Sequence, residues 1–109
     1  MDAIFLHDQE QPWTDIGDGV KRKILVFNNE LMLMKVHFKK GAVGALHQHP
    51  HTQISYVNAG KFKYHINGTD RVLTAGDSCI IYPGLLHGCE CLEEGELMDS
   101  FTPCREDFL

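Results

Sequence analysis

Met32, Met34, Val36 and Phe38 alternate with Leu33, Lys35, His37 and Lys39. Successive side chains of a strand project to opposite faces, so this period of two predicts a half-buried β-strand. Phe62, Tyr64 and Ile66 alternate with Lys61, Lys63 and His65 in the same way and run into Asn67-Gly68. That dipeptide is a strong signal for a tight hairpin, with residues 71–74 as the returning strand. Further strands are predicted at residues 23–27, 54–58, 78–82 and 96–102. Glycines at 41, 44, 60, 68, 76, 84, 88 and 95 punctuate them. No segment sustains a helical period. Regular short strands between turn signals predict an all-β sandwich or barrel. Residues 1–12 read as a polar lead-in with one strand at Ala3–Leu6.

The chain has 109 residues, which predicts one domain over 1–109 with a core of its own. Its net charge is −5, with acids and bases interspersed. The absence of a basic stripe argues against nucleic acid as a partner. No apolar run is long enough to cross a bilayer, so no membrane association is expected. The first residues carry acids where a secretory leader needs bases, which gives the cytoplasm as the expected location. Cys79, Cys89, Cys91 and Cys104 lack C-x-x-C spacing and are expected as reduced, mostly buried thiols. Cys89 and Cys91 share a strand face, and a soft-metal pair there is the lesser reading.

The chemistry concentrates between Gly41 and Gly60. His47, His49 and Gln53 fall within seven residues, and His87 follows the turn at Tyr82-Pro83-Gly84. On an extended backbone His47 and His49 point to one side and can reach one ion. Gln53 opens the next strand and can turn its amide oxygen inward. Three imidazoles and an amide oxygen suit one divalent transition metal: nickel, manganese, iron, cobalt or zinc. Four protein ligands leave a coordination position open, as catalysis requires. His51 sits in the turn between the ligands and is read as a supporting or surface group. His7, His37 and His65 are read as solvated or hydrogen-bonded histidines.

These segments resemble the two cupin motifs. Gly41, His47, His49, Gln53 and Gly60 keep every spacing of G-x5-H-x-H-x3-E-x6-G, with glutamine for glutamate. Gly76, Gly84 and His87 keep those of G-x5-P-x-G-x2-H, with Tyr82 in the proline position. The resemblance implies a small double-sheet jelly-roll barrel, commonly dimeric at this size. From Pro12 to Leu109 the chain is similar to the KdgF-type pectin-degradation cupins. Segments 19–25, 41–47 and 103–109 are the most specific. This implies action on 4,5-unsaturated uronates from pectin or alginate, giving the linear 5-keto-4-deoxyuronate. It also implies functional roles for Asp99, Phe101 and Arg105.

The residues suit that reaction, which moves protons and no electrons. Glutamine in place of glutamate leaves the ion's charge undiminished for an anionic substrate. Leu97, Asp99 and Phe101 share strand parity, so Asp99 is expected inside the barrel as general acid/base. Phe101 offers a flat surface to the sugar, and Arg105 a fork for its carboxylate. The competing readings are a cupin dioxygenase with the same ligands and a sugar-binding module without chemistry. Residues 31–34 are apolar on both strand faces, which suggests that one face is covered by a second copy in a homodimer.

Overall fold

The computed structural model describes residues 4–109. Eight strands follow in chain order: β1 Thr14–Gly17, β2 Val20–Phe27, β3 Met32–Phe38, β4 Val43–His47, β5 Thr52–Ile66, β6 Thr69–Thr74, β7 Ser78–Ile81 and β8 His87–Thr102. Single-turn 3-10 helices at Asp8–Glu10 and Glu106–Phe108 flank them, and no α-helix occurs among the described residues. Every pairing is antiparallel.

The register divides this ladder into two sheets. The second half of β8 lies between β3 and the first half of β5. β2 and β1 extend that sheet on one side and β7 on the other. The first half of β8 lies between β4 and the second half of β5, with β6 beyond. Two long strands therefore pass from one sheet to the other and close the jelly roll. Their inward faces meet as a core, where the rings of Phe38 and Phe62 stand edge to face at 5.3 Å. Met32, Val57, Phe62 and Ile81 are completely buried there.

The crossing needs glycine at two positions. A Cβ on Gly95 would lie 2.1 Å from the Ala59 carbonyl oxygen. Gly60 has φ +85°, and a Cβ there would lie 2.6 Å from the Glu94 carbonyl oxygen. Register shifts between Val57 and Phe62 mark the same bend. Backbones at this separation leave no room for a side chain.

The β3 alternation holds, with Met32, Met34, Val36 and Phe38 all inward. The Asn67-Gly68 hairpin also holds, with φ 49° and 80° at its two central residues. The differences lie elsewhere. The strands expected at 54–58 and 62–66 are halves of β5, and the one expected at 96–102 is the end of β8. β1 and β4 were not anticipated. All four β1 residues are exposed and β4 is mostly so, which leaves no apolar alternation to detect. Of the strand expected at Ala3–Leu6, Ala3 lies outside the described residues and positions 4–6 are not extended into a ladder. The lead-in is nonetheless anchored. Lys23 donates to the Asp8 and Gln11 carbonyls and pairs with the Asp8 carboxylate at 2.9 Å. Lys35 reaches the same carboxylate at 2.9 Å. These two lysines hold the Asp8 carboxyl below its usual range.

Candidate metal centre

β4 and β8 bring the histidines together. His47 and His87 are direct partners across that pair. β4 ends at His47, and the turn through Pro50 carries His49 back over the same face before β5 begins. The ring nitrogens of His47, His49 and His87 available to a metal all lie within 4.8 Å of one another. His87 and His49 are buried, whereas His47 sits at the exposed rim.

The backbone fixes which nitrogen faces inward. His47 Nδ1 lies 2.8 Å from the Ala45 carbonyl, His87 Nδ1 2.9 Å from Leu85 and His49 Nδ1 3.2 Å from His51. A carbonyl only accepts, so each Nδ1 carries the hydrogen and each Nε2 presents a lone pair. Burial is the main cause that pushes His49 and His87 below the usual histidine range and keeps them neutral. His87 Nε2 is buried without a hydrogen-bond partner. His49 Nε2 faces the Gln53 amide oxygen at 3.0 Å, two acceptors toward one space. A buried cation satisfies both, so this donor set fits a divalent metal.

Gln53 also links the histidines to Asp99. Its amide nitrogen donates to Ser55 Oγ at 3.0 Å, and Ser55 donates to Asp99 Oδ1 at 2.6 Å. This chain points the Gln53 oxygen toward His49. Asp99 is buried, as its parity predicted, with Leu97 and Phe101 on the same face. Burial raises its pKa from 3.8 to about 6, against the lowering influence of Ser55, Gln53 and Arg105. Ser55 is completely buried and was missed from sequence. The signal was its parity with Gln53, two positions away on β5.

Phe101 packs its ring 5.9 Å from that of His49. Arg105 is buried and stacks over Phe101 at 5.0 Å and Phe108 at 4.0 Å. Its fork already holds Asp107, through Nε at 3.0 Å and Nη2 at 2.8 Å. No pattern in the sequence marks this partner. His51 contributes its carbonyl to His49, while its own ring stands 6.4 Å from Phe101. Cys89 and Cys91 are buried, and the histidine trio is the cluster among the described residues that could hold a metal ion.

Comparison with known proteins agrees with this geometry. The cupin domain family model matches residues 34–99. The pectin degradation protein KdgF of Dickeya dadantii (strain 3937) is 48% identical over 104 residues, spanning 94% of each chain. An RmlC-like cupin from Shewanella frigidimarina superposes with a TM-score of 0.96 at 45% identity, covering 99% of this chain and 98% of that one. KdgF from Halomonas sp. superposes with a TM-score of 0.95 at 38% identity, covering 98% and 99%. With its jelly roll, its histidine trio and these relatives, the chain belongs to the cupin family.

Proposed function

We propose that this cupin opens the ring of 4,5-unsaturated uronates to give linear 5-keto-4-deoxyuronate. One observation carries the reading. A neutral donor set of three imidazoles and an amide is joined, through Gln53 and Ser55, to a buried carboxyl poised near 6. The similarity to a pectin degradation protein supports the substrate class.

The substrate is a cyclic hemiacetal with a C4–C5 double bond. Breaking the C1–O5 bond releases the C1 aldehyde and leaves an enol at C5. Moving the enol proton's equivalent to C4 gives the ketone, so atoms and electrons balance without an oxidant. Negative charge develops on O5 and must be stabilised where it forms. His47, His49, His87 and Gln53 would hold a divalent ion, which would supply Lewis-acid charge when bound. Nickel, manganese, iron, cobalt and zinc all suit these ligands. Arg105 takes the substrate carboxylate, and Phe101 packs against the sugar's carbon face. Asp99, whose carboxyl burial raises to about 6, moves the proton between the hemiacetal hydroxyl and C4.

Gln53 serves this scheme in a way glutamate cannot. A carboxylate there would lack the amide hydrogen that holds Ser55, and would place a second negative charge beside Asp99. The test is turnover of unsaturated galacturonate by metal-quantified protein, read as loss of the enol-ether absorbance. Product formation without oxygen uptake supports the reading. Oxygen-dependent turnover would replace it with a dioxygenase, and binding without product with a sugar-sensing module.

We further propose one domain over 1–109, acting in the cytoplasm as a homodimer. Cys79, Cys89 and Cys91 as free thiols suit a reducing compartment. Leu31 is 55% exposed, and Ile54 and Ile80, paired across β5 and β7, are 47% and 45% exposed. Elution at monomer mass on a calibrated sizing column would remove the dimer.

A further inference from the structure

Arg22 has no role in the scheme above. It lies in a run of basic residues, Lys21-Arg22-Lys23, that reads as a solvated strand edge. The register says otherwise. Arg22 pairs with Val36, and Ile24 with Met34, so Arg22 shares the face of the inward residues of β3. Met34 in turn is opposite Asp99 on β8. Arg22 therefore projects from the same barrel face as Asp99, two strands across and two residues along, or about 12 Å between backbones. It lines a cavity of about 260 Å³ together with Val20, Met34, Val36, Phe38 and Gly44.

Its guanidinium is also held toward the site. Arg22 stacks over the Phe108 ring at 4.1 Å, the same ring that Arg105 covers at 4.0 Å. Phe108 stands 6.0 Å from Phe101, which in turn packs on His49. Two guanidiniums thus share one aromatic ring at the edge of the metal centre. Such a pair is self-repelling. Burial first, and the Arg105 charge second, push Arg22 below the usual arginine range. Asp107 acts on both cations but is committed to the Arg105 fork, Asp99 also acts on Arg105, and Asp18 lines the Arg22 cavity without pairing with it. No carboxylate is within ion-pair distance of Arg22 among the described residues. Arg22 is left without an ion-pair partner on an inward face beside a cavity, which makes it available to a bound anion.

We propose that Arg22 is a second substrate-binding residue that shares the uronate carboxylate with Arg105 across the Phe108 ring. The inference rests on the uronate reading and adds a specificity element to it. A carboxylate has two oxygens and can accept from two guanidiniums at once. This arrangement lets Arg105 keep Asp107 on one side while substrate engages the other. It selects sugar acids over neutral sugars, because without an anion the two cations repel.

The test compares metal-loaded wild type, Arg22→Gln and Arg22→Lys. Calorimetric titration with galacturonate and with its methyl ester reads carboxylate recognition apart from turnover. Loss of one charge-assisted hydrogen bond predicts galacturonate affinity lower by roughly tenfold to a hundredfold in Arg22→Gln. The ester should bind all three proteins alike. KM for the unsaturated uronate should rise in parallel, with kcat changed by less than about threefold. Arg22→Lys should recover part of the affinity, and it carries the test if Arg22→Gln fails to fold. Unchanged galacturonate affinity in a folded Arg22→Gln would overturn the inference. So would an equal loss for acid and ester, which would make Arg22 only a clamp for Phe108. Normal wild-type turnover with an unaffected variant sinks this inference alone. Arg22-dependent galacturonate binding without any turnover sinks the proposed reaction and leaves the anion site standing.

Discussion

Replacing Asp99 with asparagine should make the metal-free protein more stable while abolishing most activity. Asp99 is buried, and burial lifts its pKa from 3.8 to about 6. A carboxyl whose folded pKa is raised penalises the folded state when ionised. Below about pH 3.8 the group is protonated whether folded or unfolded, and there is no penalty. The penalty grows as pH rises from 3.8 to about 6 and is constant above that. Roughly two units at 1.36 kcal/mol each give a ceiling of about 3 kcal/mol. Asparagine keeps an acceptor for Ser55 and removes the charge, so a gain of about 2 kcal/mol at pH 7 is expected. For a chain this size that is on the order of 10 °C in Tm. Thermal melts of both proteins in chelator, from pH 4 to pH 8, measure it. The stabilisation should be near zero at pH 4 and full by pH 7. A variant less stable than wild type at pH 7, or an offset independent of pH, would refute the reasoning. Turnover should fall by roughly a hundredfold or more if Asp99 is the proton carrier.

Gln53→Glu should retain metal yet lower kcat by about tenfold or more, since it breaks the Ser55 link and adds charge beside Asp99. Faster turnover with equal metal content would disprove that charge argument. Gly95→Ala should destabilise by about 3 kcal/mol or more in chemical denaturation, because its Cβ would sit 2.1 Å from the Ala59 oxygen. A near-neutral effect would mean that the crossing of β5 and β8 is looser than described. Burial pushes the Cys79 and Cys89 thiols up to about 11 and about 12, so both stay protonated at pH 7. They should react with a disulfide reagent only after unfolding, and rapid labelling of native protein would contradict their placement.

The sequence displayed the parts that repeat or alternate. Strand β3 buries one face and exposes the other, so its side chains announce both its type and its orientation. The histidine spacing pointed to one ion because β4, the Pro50 turn and β8 convert that spacing into proximity. The first half of β8 was hidden. Gly88, Glu90, Glu93 and Glu94 give it a loop-like composition, although it is an extended strand between β4 and β5. Partnerships set by long-range register were hidden as well. Ser55 meets Asp99 across β5 and β8, forty-four positions away in sequence. Arg22 lies among lysines, and its inward face follows only from pairing with β3. Asp107 claims the Arg105 fork through a short helical turn that no periodic pattern marks.

The proposed reaction is the opening of unsaturated uronates by metal-assisted proton transfer without redox chemistry. It is tested most directly by proton magnetic resonance of unsaturated galacturonate in heavy water, with and without the metal-loaded protein. Loss of the C4 vinyl signal, one deuterium at C4 of the 5-keto product, and loss of the acceleration on chelation are expected. The same rate with and without protein, or turnover that requires oxygen, would contradict it.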